Sequence, residues 1–153
     1  MKEDKVFEIS DSIKKTQEIS QNLLKKLLPL IKKQGLTVLL KGDLGSGKTT
    51  FTQGLGKFLG IKKINSPTFV ILKKYQGACN IKLVHLDCYR LKNFKELQGI
   101  GIEKFINKKN ILVVVEWPEI ILKLKNKIKN KIVLNFSYIS KNKRQISIED
   151  IKK

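Results

Sequence analysis

Apolar and polar positions divide the chain into recognisable elements. Lys5-Val6-Phe7-Glu8-Ile9 alternates and predicts a first strand. Ser10-Asp11-Ser12 then supplies side-chain oxygens suited to capping a helix. From Ile13 onward, apolar residues recur at Ile19, Leu23, Leu24, Leu27, Leu28 and Ile31, the stripe of an amphipathic helix. Pro29 is expected to disturb its last turn and Gly35 to end it. Residues 36–41 are an apolar, β-branched run of strand length, and Phe51, Leu55, Phe58 and Leu59 fall at helical spacing in a helix stopping near Gly60.

Residues 69–75 and 81–87 predict two strands, and the short Gln76-Gly77-Ala78-Cys79-Asn80 connection forces them to pair antiparallel. Residues 94–99 and 102–106 read as short helical pieces of a mobile region. Ile111-Leu112-Val113-Val114-Val115 is apolar throughout, the mark of a central parallel strand covered on both faces. The Lys/Asn-rich run 123–131 is expected to be solvated, and segments 132–136 and 144–148 to form an edge hairpin. The pattern implies an α/β fold: a single domain over residues 1–153, with a mostly parallel central sheet, an antiparallel hairpin and flanking helices.

Between the second predicted strand and its helix lies Gly42-Asp43-Leu44-Gly45-Ser46-Gly47-Lys48-Thr49, which fits the phosphate-binding pattern G-x-x-x-x-G-K-[ST] without mismatch. Glycines let the backbone turn its N–H groups inward, and the helix N-terminus adds positive partial charge. The motif predicts a P-loop NTPase-like domain that binds a nucleoside triphosphate through Asp43, Leu44, Gly45, Ser46, Gly47, Lys48, Thr49 and Thr50. Lys48 is expected to reach the β- and γ-phosphates, and Thr49 to place its hydroxyl on Mg²⁺.

This chemistry also needs a carboxylate at the end of a neighbouring buried strand. Glu116 follows the apolar run 111–115, and Asp87 ends the strand before it. Both sit where strand C-termini of an open α/β sheet meet a ligand. Thr68, after Ser66-Pro67, is a candidate to approach the γ-phosphate as switch segments do. Trp117, the one tryptophan, adjoins the stronger acid, as core packing or as a contact beside the phosphates. His85 reads as a satisfied sheet residue rather than a catalytic base.

Charge and composition add less than they first suggest. The net charge is +19, and thirty of the 32 basic residues are lysines, spread along the chain with abundant Ile and Asn. Codon bias in an AT-rich genome and a tRNA-binding surface both account for this, and no basic cluster stands out. Against such a background Arg90 and Arg144 stand out, because arginine offers a planar bidentate fork that lysine lacks. Cys79 and Cys88 form neither a disulfide framework nor a zinc pattern and read as small buried thiols. No apolar run approaches the roughly 20 residues of a membrane helix, and the charged start lacks a secretory h-region. A cytoplasmic location without membrane attachment is expected.

Several blocks together resemble the TsaE (YjeE) family: Gly42-Asp43-Leu44-Gly45-Ser46-Gly47-Lys48-Thr49-Thr50-Phe51, Ser66-Pro67-Thr68-Phe69, His85-Leu86-Asp87-Cys88-Tyr89-Arg90-Leu91, Glu96-Leu97 with Gly101-Ile102, and Glu116-Trp117-Pro118-Glu119. The similarity covers residues 36–120 and is weaker outside; Ser46 stands where the family usually has alanine. The resemblance implies a compact P-loop fold and weak ATPase activity with Mg²⁺. It also implies work beside the TsaB–TsaD pair, which threonylcarbamoylates adenosine 37 of tRNAs reading codons that start with A. By position, Thr49 and Glu116 would hold Mg²⁺, Thr68 would lie in a switch-like segment, and Asp87 and Arg90 would support hydrolysis or partner coupling. Contact with tRNA would come through the complex, with direct contact left open.

Three other classes compete. A small-molecule kinase usually clamps its phosphates with several arginines and a lid, whereas this chain has two arginines and only a short 94–106 region. A small GTPase needs Asn-Lys-x-Asp, and Asn107-Lys108-Lys109-Asn110 lacks the aspartate that reads guanine. A basic tRNA-binding module with a vestigial P-loop is the third.

Overall fold

A computed structural model describes residues 6–66 and 71–152. Thr68 and the expected strand start at Phe69 and Val70 lie outside the described residues. Seven strands form one sheet: β1 (Phe7–Ser10), β2 (Leu36–Gly42), β3 (Leu72–Gln76), β4 (Lys82–Asp87), β5 (Ile111–Glu116), β6 (Lys131–Ser140) and β7 (Lys143–Lys152). Their spatial order is β1-β7-β6-β2-β5-β4-β3. The inner four, β6-β2-β5-β4, run parallel, and antiparallel pairs extend the sheet on both sides. The expected α/β architecture holds.

Strand β5 is central because its residues are apolar on both faces, so it can be covered from either side. Strands β6 and β7 do form a hairpin, but it is not the edge. Ile132, Leu134 and Phe136 face one core and Val133 the other, so β6 docks beside β2, and β1 closes the sheet beyond β7.

Helix α1 (Ile13–Gln34) begins at Ser12, whose hydroxyl accepts from Lys15 N–H. It runs on through Pro29, which is exposed, and ends at Gly35 with φ 80°. A side chain at Gly35 would lie 2.2 Å from the Lys108 carbonyl, so only glycine fits the turn. Helix α2 (Lys48–Phe58) packs beside α1 on the same face, where Ile19, Leu24, Ile31, Phe51 and Leu55 cover Val38, Leu40, Leu112 and Val114. The two helices meet through small residues: a Cβ on Gly54 would come within 2.0 Å of Ser20 Oγ and 2.7 Å of Gln17 Cα. This close approach fixes where α2 starts. The opposite face is covered by helix α3 (Phe94–Ile100) and 3₁₀ turns carrying Leu97, Ile102, Ile121 and Leu124.

Two expectations about the surface need correction. The run 123–131 is pinned rather than freely solvated: Leu124 and Ile128 are buried, and Asn107 donates to Lys127 O at 2.6 Å while accepting from Lys129 N–H at 2.9 Å. Its lysines face water around two apolar anchors, which composition alone conceals. Cys79 is exposed in the β3–β4 turn with φ 57°, and only Cys88 is buried. Burial, reinforced by the charges of Asp87 and Glu119, pushes the Cys88 thiol up to about 12, so it stays protonated and unreactive.

Candidate functional site

Strand β2 delivers the glycine loop to the C-terminal edge of the parallel strands. The register sets Leu40 opposite Glu116, Gly42 opposite Phe136 and Asp87 opposite Glu116, so the loop and both acids converge there. Gly42, Gly45 and Gly47 have φ of 152°, 74° and 106°, values that L side chains rarely adopt. Behind Gly47 lies a further constraint, since a Cβ there would meet Arg144 Nη1 at 3.1 Å. Gly47 caps α2 without any side-chain hydrogen bond, and no acid occupies the first turn. The first N–H groups of the helix therefore have no capping side chain or acid from the helix's own first turn.

The cleft has a volume of about 240 Å³ and is lined by the loop, Lys48, Thr49, Thr50, Asp87, Glu116 and Trp117, with Ser66, Tyr89 and Arg144 at its sides. Lys48 is 5% exposed, Glu116 4% and Asp87 6%, so a cation and two acids are withdrawn from water together. The Lys48 ammonium donates to the Gly42 carbonyl and, at 2.9 Å, to that of Asp43. It also lies 4.4 Å from the centroid of the Trp117 ring. Burial pulls its pKa below the usual lysine value, and the fields of Glu116, Asp87, Asp43 and Glu119 oppose that shift.

Thr49 Oγ1 donates to Glu116 Oε1 at 3.0 Å. His85 Nε2 lies 2.9 Å from the same oxygen. Asp87 accepts from the Tyr89 N–H at 2.9 Å. Trp117 has φ 55°, a left-handed conformation unusual for a bulky residue, and its ring centroid is 5.0 Å from that of Tyr89. Trp117 therefore lines the cleft while packing, half-buried, against the core beneath it.

The loop residues, Lys48, Thr49, Glu116 and Asp87 thus gather at one place as the sequence suggests, whereas Arg90 is exposed and does not line the cleft. Sequence reasoning missed Arg144. It reaches the loop from β7, within 5.8 Å of the Tyr138 ring, and its buried Nε has no hydrogen-bond partner among the described residues. The signal was available, because an arginine retained among thirty lysines had already marked the position. Tyr138 was missed as well; its hydroxyl donates to Leu44 O at 3.3 Å and ties β6 to the loop.

A metal at the Thr49–Glu116 contact fits the donor set. Hydroxyl and carboxylate oxygens are hard ligands, and magnesium usually takes one or two protein oxygens, with phosphates and water completing the octahedron. Among the described residues no cluster of three or more His, Cys, Asp or Glu could hold a metal by itself.

Loop, buried lysine and strand-end acid, set on this sheet, place the chain in the P-loop NTPase-like class. The crystal structure of Bacillus subtilis YdiB has the same fold, with a TM-score of 0.69 at 24% identity, over 96% of this chain and 86% of that one. The family model of the threonylcarbamoyl adenosine biosynthesis protein TsaE matches residues 10–146, and the chain belongs to the TsaE family. Relatives named tRNA threonylcarbamoyladenosine biosynthesis protein TsaE include that of Bacillus subtilis, 40% identical over 97 residues, 63% of this chain and 59% of that protein. The Rickettsia conorii protein is 37% identical over 135 residues, covering 87% of this chain and 74% of its own length. The match to the Borreliella burgdorferi protein, 37% identical over 90 residues, spans 65% of that relative and 59% of this chain. None of the helices among the described residues is long and apolar enough to cross a membrane.

Proposed function

We propose that the chain binds ATP with Mg²⁺, hydrolyses it slowly, and serves tRNA threonylcarbamoyladenosine synthesis beside the TsaB–TsaD pair without performing the transfer itself. The observation that carries the reading is the 3.0 Å contact between Thr49 Oγ1 and Glu116 Oε1. It brings the loop hydroxyl and the strand-end acid together at the mouth of a helix whose N-terminus carries no acid.

The residues divide the work by position. The N–H groups of the loop and the first turn of α2 would receive the β- and γ-phosphates. Lys48, now satisfied by the Gly42 and Asp43 carbonyls, would exchange those partners for phosphate oxygens at little cost in movement. Arg144, whose buried Nε has no partner among the described residues, would supply a second cation from β7. Thr49 and Glu116 would hold the magnesium ion, which neutralises charge on the β- and γ-oxygens when bound. Asp87, opposite Glu116 in the register, would orient the attacking water. Preference for ATP over GTP follows from the missing guanine motif.

Calorimetric titration of ATP with and without Mg²⁺, for the wild type and Glu116→Ala, tests the reading. Mg²⁺ should tighten wild-type binding and have little effect on the variant. Indifference of the wild type to Mg²⁺ would sink it.

A further inference from the structure

His85 is the one histidine in the chain and is completely buried. It stands on β4 two residues before Asp87, so the period of the strand puts both on the face covered by α1 and α2. His85 is one step deeper, on the same face as Leu83, with Val114 opposite it on β5. An aliphatic residue would suit this apolar floor better, since a buried polar ring loses its hydration. What the ring gains instead is Glu116: Nε2 lies 2.9 Å from Oε1.

The partners fix the roles of the two nitrogens. An ionised carboxylate only accepts, so Nε2 carries the hydrogen and donates it. Nδ1 is buried with no hydrogen-bond partner among the described residues, so a hydrogen there would have no acceptor. Thr49 donates to the same Oε1 from the loop side. Two donors from two elements therefore grip one carboxylate oxygen, and Oε2 is engaged by neither.

We infer that His85 is a positioning residue for Glu116: as the Nε2–H tautomer it holds the carboxylate in place, so that Thr49 and Glu116 are set for metal before nucleotide arrives. This rests on the ATP–magnesium reading of the site. With the Thr49 hydroxyl given over to a metal, Glu116 would lose one donor and keep the other, so His85 would still hold its orientation. Partners of this kind commonly change metal affinity about 10- to 100-fold when removed.

Two measurements decide it. In protein labelled with ¹⁵N-histidine, free of nucleotide and metal, the single imidazole should show one fixed tautomer, with a protected proton on Nε2. Glu116→Ala should abolish that protection. A proton on Nδ1, or averaging between tautomers in the wild type, overturns the inference. In the second, ATP titrations with and without Mg²⁺ compare the wild type, His85→Leu and His85→Gln, whose amide N–H reaches about as far as Nε2. His85→Leu should bind metal-free ATP as the wild type does, yet lose about tenfold or more of the gain from Mg²⁺. His85→Gln should recover most of it. A full Mg²⁺ gain in His85→Leu, or a glutamine variant as poor as the leucine one, overturns the positioning role. A wild type that gains nothing from Mg²⁺ strikes the functional reading instead, and the NMR arm still decides whether His85 holds Glu116.

Discussion

Thr49 and Glu116 lie 67 positions apart in sequence, and the fold brings the hydroxyl of one to 3.0 Å from Oε1 of the other. The contact links the start of α2 to the end of β5, so it joins the phosphate loop to the central strand. Its removal has a defined consequence. On the proposed function, Glu116→Ala should retain metal-free ATP binding, assigned to the loop and Lys48, and lose most hydrolysis, because a metal ligand is removed. Normal turnover in that variant would pass the role to Asp87.

Lys48 gives a pH signature with opposite slopes in two observables. Its pKa is lowered by burial, against the fields of the nearby carboxylates. Between that lowered value and 10.5 the unfolded chain holds more protons than the folded one, so this group makes stability rise with pH through the window. Bound phosphates need the charged form, so ATP affinity should fall through the same window. Melting temperature and ATP affinity, measured across the alkaline range against Lys48→Ala, check both signs. Lys48→Ala itself should weaken ATP binding by more than about tenfold, because charge-assisted hydrogen bonds contribute about 1.5–3 kcal/mol each.

The small-residue contact between α1 and α2 predicts a stability effect remote from the phosphates. Gly54→Ala forces a methyl towards Ser20 Oγ and Gln17, two places where the helices already touch. Overpacking of this kind costs about 1–3 kcal/mol. Chemical denaturation should show that loss, and ATP affinity should fall too, because α2 carries the loop's first helical turn. Gly99→Ala, inside α3 and meeting nothing within 4 Å, is the control: it should cost no stability and leave ATP affinity unchanged.

The two cysteines should separate cleanly in a thiol assay. Exposed Cys79 should react at pH 8, whereas Cys88, buried and raised to about 12, should react only on unfolding. Two fast thiols in native protein would contradict the packing around Asp87.

Much of this architecture was legible in the sequence because local signals and burial agree there. The loop spells out its own backbone, and residues 111–115 are apolar on both faces, so the central strand and its terminal acid could be read directly. What escaped depends on register between distant segments. Nothing near Arg144 says that β7 carries it to the back of Gly47, and nothing near His85 says that Glu116 will lie over it. The placement of β6 inside the sheet was hidden for the same reason, since a hairpin pattern looks alike at an edge and beside a parallel core. The buried anchors Leu124 and Ile128 were masked by the lysines around them.

On the proposed function, a partner would read the nucleotide state of the Lys48–Thr49–Glu116 site. The most direct test is ATP turnover by the full chain with Mg²⁺, alone and with TsaB–TsaD, alongside ATP and GTP affinities measured by calorimetry. The expected result is ATP bound in preference to GTP, slow turnover alone, a changed rate with the pair present, and loss of both rates in Glu116→Ala. ATP bound no better than GTP, with turnover indifferent to the pair, would contradict it.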